Sequence, residues 1–122
     1  MAKLDELIRE IQNELGADFR YMNIVGSDGL PIAGTTVADV NTEAVAARFT
    51  LIVKLASRVA DKLHLGEVDD NLVTLDDAYI LMELLGDESY FVILGLSKEA
   101  PLGVARMLLK EYADQLWDAI PR

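Results

Sequence analysis

The stretch Asn41–Leu65, NTEAVAARFTLIVKLASRVADKLHL, decides how the rest of the chain is read. It holds no Gly or Pro before Gly66 and is the longest helix-compatible run in the sequence. Asn41 and Thr42 are candidate N-terminal caps, and Glu43 puts an acid in the first turn, where the helix dipole favours one. Lys62, His64 and then Gly66 have the composition of a helix C-terminus. At about 100° per residue, Val45, Phe49, Ile52, Ala56, Val59, Ala60 and Leu63 fall on one stripe. Ala44, Leu51 and Leu55 widen it on one side, and Ala46 and Val53 on the other. Glu43, Thr50, Lys54, Ser57, Arg58 and Asp61 share the remaining arc. The apolar arc is roughly 220° wide, about twice what a helix lying on one core requires. Such a helix is either enclosed in a large protein or touches two bodies. A chain of this size cannot put two layers over it. One flank is therefore expected on the chain's own sheet, the Val45–Phe49–Ile52–Ala56–Val59–Leu63 stripe, and the other, with Leu51 and Leu55, on a second molecule.

Upstream, Leu4, Leu7, Ile8, Ile11 and Leu15 follow the helical period and predict a helix over residues 3–15, ended by Gly16. Residues 19–26, FRYMNIVG, read as a strand with bulk on both faces. Phe19, Tyr21 and Val25 are expected on one face, with Met22 and Ile24 on the other. Ser27-Asp28-Gly29 is a turn signal, and residues 30–35 form a second strand. Pro31 cannot donate to a ladder, which places that strand at a sheet edge.

Downstream, residues 71–75 predict a short strand, with Asp69-Asp70 before it and Asp76-Asp77 after it as solvated turn residues. Residues 78–85, AYILMELL, and 89–96, SYFVILGL, form a hairpin around Gly86-Asp87-Glu88. Glu83 interrupts an otherwise apolar strand and is expected at an opening or near an edge. Pro101 opens a last helix, whose face is Leu102, Ala105, Leu109, Tyr112, Leu116 and Ile120. The order is helix-strand-strand-helix-strand-strand-strand-helix. It predicts an α+β fold with about five mostly antiparallel strands and helices on both faces. The first and last helices share one face, and the long helix covers the other alone. One helix cannot cover five strands, which is a second reason to expect a partner.

Composition sets further bounds. At 122 residues the chain is expected to be one domain over 1–122, large enough to bury about two-thirds of its unfolded surface. A hydrophobic content of 52% is high for a small monomer and again calls for a covering partner. No apolar run approaches the ~20 residues of a spanning helix, and MAKLDELIRE lacks an apolar signal region. A cytoplasmic location without membrane insertion is the resulting expectation. The absence of cysteine removes disulfides, thiolate metal ligands and a Cys nucleophile. A formal charge of -10 argues against nucleic acid and anionic membranes as partners.

No catalytic, cofactor or metal constellation stands out. His64 is the only histidine and falls where a surface cap or dipole partner is common. Asp69-Asp70 and Asp76-Asp77 lack the spacing of a calcium loop. Gly26, Gly29 and Gly34 form neither a phosphate-binding loop nor a dinucleotide fingerprint. Lysines and arginines are scattered rather than clustered with aromatics.

In their order and spacing these pieces resemble the roadblock family, the dynein light-chain type of module. The resemblance rests on FRYMNIVGSDGLPIAGT after an opening helix, on the long Ala-rich helix, and on SYFVILGLSKEAPLGVARMLLKEYADQL. The last piece carries the family's Leu-Gly-x-x-Arg helix start as Leu102, Gly103 and Arg106, and Asp28–Ile32 is the closest local match. The resemblance implies a homodimer in which the long helices meet and edge strands join two sheets into one. It also implies a non-catalytic platform that regulates or recruits a Ras-like small GTPase, or a motor-complex light chain. The family motif carries over no site residues; the interface expected from the apolar arc and the edge strand holds Ala44, Arg48, Leu51 and Leu55 on the helix and Leu72 and Val73 on the strand 71–75. Arg48 and Lys62 fall inside the apolar arc, where they either pair with acids across the dimer or snorkel to water. The alternative is a small-molecule-binding sensor domain of similar architecture, which a ligand-sized cavity in a stable monomer would favour.

Overall fold

Leu4, Leu7, Ile8, Ile11 and Leu15 form the buried stripe of helix α1 (Ala2–Leu15) in the computed structural model, which describes residues 2–122. A single 3₁₀ turn, Gly16–Asp18, feeds strand β1 (Phe19–Gly26), and a tight turn leads on to β2 (Pro31–Thr36). Helix α2 (Thr42–Lys62) follows, then β3 (Asp70–Thr74), β4 (Ala78–Leu85), β5 (Tyr90–Ser97) and helix α3 (Leu102–Ala119). The Asn41 side chain accepts the Ala44 N–H at 3.1 Å and so caps α2, as its position predicts. The helix stops at Lys62 rather than Leu65, because His64 turns into the left-handed region at φ 55°.

The five strands form one antiparallel sheet in the order β2-β1-β5-β4-β3. The fold is α+β with the expected element order and helices on both faces. α1 and α3 lie side by side over one face, burying Met22, Ile24, Leu81, Leu94 and Leu96. α2 lies over the other, on Tyr21, Val25, Met82, Phe91 and Ile93. Both strand faces are thus covered, which accounts for their two-sided bulk. The sheet ends in β2 on one side and β3 on the other.

One facial assignment differs from the simple alternation. Phe19 packs with Met22 and Ile24 beneath α1, not with Tyr21 and Val25. The cause is a bulge. Phe19 pairs with Leu96 and Tyr21 with Gly95, so two steps of β1 oppose one step of β5. The extra residue, Arg20, inverts the facing of everything before it. The Tyr21 ring then lies across Gly95, where any Cβ would come within 2.4 Å of it.

The turn between β4 and β5 is fixed by a similar close approach. Gly86 adopts φ +55°, and a Cβ there would meet the Trp117 ring at 2.1 Å. Trp117 also takes a tilted contact with Tyr90 and a cation–π contact from Arg122. The end of α3 is thereby anchored over the hairpin turn.

Candidate interaction surface

The residues of α2 that meet the sheet are Ala46, Thr50 and Val53, all buried, flanked by half-buried Val45, Phe49, Ala56, Ser57 and Ala60. The expected stripe is therefore corrected. Its Ile52, Val59 and Leu63 face away from the sheet and are exposed. The helix is rotated toward the small and hydroxyl-bearing side. Thr50 tolerates burial because its hydroxyl donates to the Ala46 carbonyl at 2.6 Å. Small residues there also let the chain approach closely, and Gly29 of the β1–β2 turn sits against the Ala47 backbone and Thr50. A buried asparagine adds a tie: Asn23 Nδ2 donates to the Thr42 carbonyl at 3.2 Å, fixing the start of α2 to β1.

The rotation leaves a continuous apolar flank of α2 without cover. Leu51 is 65% exposed and Leu55 62%, and Ile52, Val59 and Leu63 continue the same ridge. Ala44 and Arg48 are exposed on that flank as well. Arg48 and Lys62 take part in no ion pair among the described residues. Leu72 and Val73 of β3 are half-buried and point to opposite faces, Leu72 toward α1 and α3 and Val73 toward α2. The edge of β3 away from β4 has no strand beside it among the described residues. The structure thus places Ala44, Arg48, Leu51 and Leu55 on one exposed ridge, and Leu72 and Val73 on an open edge strand.

β3 is held by charge as well as by its ladder. Arg106 of α3 forks onto Asp70, with Nε donating to Oδ2 at 2.9 Å and Nη2 to Oδ1 at 3.2 Å. Lys110, one turn on, donates to Asp69 Oδ1 and to Glu83 Oε1 at 2.8 Å. Asp69 and Asp70 are therefore not merely solvated turn residues, and Asp70 begins the strand. Glu83 does not open on solvent. It is buried on β4 beneath α3, beside the edge strand, with Lys110 as its partner. Burial raises the Glu83 carboxyl above the usual carboxylate range and outweighs the opposing pull of Lys110. Bonds to Asp69 and Glu83 raise the Lys110 ammonium in turn. Such pairings span tens of residues, and nothing local in the sequence marks them. The one hint is that Arg106 and Lys110 are a helical turn apart on α3.

Elsewhere, His64 and the Asp76-Asp77 turn are exposed. No cluster of three or more metal-ligating side chains occurs among the described residues. No helix among them is long and apolar enough to cross a membrane. A cleft of about 250 Å³ runs along the sheet side of α2, between Val53, Leu84 and Phe91, with Lys54 and Arg58 at its rim.

A three-helix, five-strand architecture with an uncovered central helix ridge and an open edge strand is that of a roadblock module. The sequence model of the Roadblock/LC7 domain matches residues 3–95, and the chain belongs to that family. Among solved structures it is similar to MglB of Myxococcus xanthus, at 14% identity and TM-score 0.85, over 96% of this chain and 86% of that one. It is similar also to the gliding protein MglB of Thermus thermophilus, at 16% identity and TM-score 0.81, over 96% and 87%. A Roadblock/LC7 domain of Streptomyces avermitilis shares 18% identity at TM-score 0.77, over 92% and 96%. No curated protein matches the sequence.

Proposed function

We propose that this chain is a non-catalytic, homodimeric regulatory or scaffold module that binds a Ras-like small GTPase in the cytoplasm. The observation that carries the reading is the exposed ridge Leu51–Leu55–Leu63 on α2 of a Roadblock/LC7 chain. Exposed leucines at helical spacing on one face cost solvation free energy unless a partner covers them. In the dimer the ridges of two α2 helices pack together. The β3 edges meet alongside, with Leu72 and Val73 contributing to the two layers of the joined sheet. Arg48 and Lys62 rim the helical contact. The MglB likeness supports self-association in general, since one such structure is described as having a tetrameric arrangement.

The platform acts by holding the GTPase rather than by supplying a reacting group. The decisive measurement is single-turnover GTP hydrolysis and GDP release by a Ras-like GTPase from the same organism, with and without this protein. A change in either rate that is lost in Leu51→Glu supports the reading. Unaltered rates, with no complex in either nucleotide state, overturn it. Small-molecule sensing is less well supported. The clefts of the described residues, under α2 and at the β1–β2 turn, are open to solvent rather than enclosed, unlike the cavities that bury most of a small ligand.

A further inference from the structure

The face of the molecule opposite α2 carries a second uncovered apolar site. Val104 and Met107 on the first turns of α3 are 56% and 64% exposed. With Leu15 and Leu108 they line a groove of about 270 Å³ between the end of α1 and the start of α3. Glu14 and Glu111 form its two walls. Glu10 lies one helical turn before Glu14 on α1. Desolvation raises the Tyr112 pKa, and the charges of Glu10, Glu14 and Glu111 on the same side of the molecule raise it further.

The cations that could neutralise this groove are committed elsewhere. Arg106 and Lys110 leave α3 on its other side, toward Asp69, Asp70 and Glu83. Arg9 lies with Asp5 and Gln12 on the β2 side of α1. Glu10, Glu14 and Glu111 take part in no ion pair among the described residues. By contrast, α2 on the far face carries four cations, Arg48, Lys54, Arg58 and Lys62, against Glu43 and Asp61. The two faces thus differ in sign, and the sheet separates them.

We infer that the α1–α3 groove is a docking site for a basic amphipathic helix of a partner protein. One or two large apolar side chains seat against Val104 and Met107, and flanking Lys or Arg meet Glu14, Glu111 and Glu10. A valley between two packed helices accepts a third helix ridge-into-groove. The carboxylate walls select positive flanks and speed encounter. A second copy of this chain is a poor occupant: its one basic amphipathic helix, α2, is taken up in the proposed dimer, and its net charge of -10 repels the same walls. An anionic membrane is disfavoured by the same repulsion. Occupancy does not compete with the α2 ridge, since α1–α3 and α2 lie on opposite faces of the sheet.

Methionine methyls provide the test. Met22 and Met82 are buried, whereas Met107 lies open on the groove. The full chain, labelled with ¹³C-methyl methionine, is titrated with a helical Leu/Lys peptide of about 14 residues and with its Leu/Glu counterpart. The Leu/Lys peptide should move the Met107 methyl resonance and leave those of Met22 and Met82 in place. The double variant Glu14→Lys, Glu111→Lys should weaken binding about tenfold or more, with the folded far-UV spectrum retained. The control Asp76→Lys, Asp77→Lys makes the same charge change on the β3–β4 turn, outside the groove lining, and should cost less than about threefold. Equal losses in the two double variants reduce the effect to bulk charge and overturn the site. An unmoved Met107, or a Leu/Glu peptide that binds as tightly, overturns it too. Preferential binding to anionic vesicles over the Leu/Lys peptide would assign the face to a membrane instead.

Discussion

Arg106 holds Asp70 at two points, through Nε at 2.9 Å and Nη2 at 3.2 Å, and so ties the first turns of α3 to the first residue of an edge strand. The planar fork of the guanidinium matches the carboxylate, which a lysine cannot do. Within the Leu102-Gly103-x-x-Arg106 helix start, the arginine therefore has a structural duty. The Arg106 side chain is 39% exposed, so solvent screens much of the pair. Arg106→Ala should cost about 1 kcal/mol and lower the melting temperature by roughly 3–6 °C. Arg106→Lys should recover less than half of that loss. Hydrogen exchange should quicken first in β3, residues 70–74, and an unaltered β3 would refute the assignment.

Glu83 and Lys110 give stability a predictable pH dependence. The folded Glu83 carboxyl titrates above its unfolded value of about 4.3, so the folded state binds its proton first. Its charged form is therefore a liability that Lys110 offsets at neutral pH. That liability disappears as the pH falls through the folded value toward the unfolded one. Lys110→Met should raise the Glu83 value further and lower the melting temperature at pH 7. The gap to the parent should narrow as the pH falls below the folded Glu83 value, where the carboxyl takes up its proton in both. A gap that stays constant across that range would show that Lys110 acts through Asp69 or packing rather than through Glu83.

Leu51→Glu and Leu55→Glu test the α2 ridge. Both side chains are exposed, so the fold should keep its stability to within about 0.5 kcal/mol. A carboxylate in the middle of an apolar contact between copies should instead raise the dissociation constant at least about 30-fold. Sedimentation equilibrium reads this directly. If both variants remain dimers at micromolar concentration, the ridge is not the interface.

Gly86→Ala should be damaging for so small a substitution. The new Cβ would occupy a left-handed backbone at φ +55° and overlap the Trp117 ring. The strained backbone and the displaced indole should together cost roughly 2–4 kcal/mol. Urea denaturation followed by Trp117 fluorescence measures both, because Trp117 is the only tryptophan.

The element order and the antiparallel sheet were legible because apolar periodicity and turn residues are local signals. Asp28-Gly29 and Gly86 mark turns, and the stripe Leu4–Leu15 marks α1. The facing of β1 was not legible before Tyr21. A bulge at Arg20 depends on how β5 runs past, not on β1 itself. The rotation of α2 was missed for a different reason. A helical wheel ranks residues by apolarity, but Thr50 faces the sheet with its hydroxyl satisfied by Ala46, while Leu51 and Leu55 do not. What the wheel did convey was the excess of apolar surface. The ion pairs from α3 to β3 and β4 were invisible because they join residues far apart in sequence.

The two rims of the sheet are not alike, and the difference bears on how the proposed dimer would end. β2 begins with Pro31, which has no N–H to offer, and its register with β1 slips between Ile24 and Val25. β3 carries regular pairing along its whole length and is braced from above by α3. Joining β2 of one copy to β3 of the next would be head-to-tail and would grow without end, as fibrils do. Joining β3 to β3 uses each copy's good rim once and leaves only poor ones outside. In the proposed dimer, the irregular strand at the far side of the sheet would therefore offer a further copy a poor edge to add to.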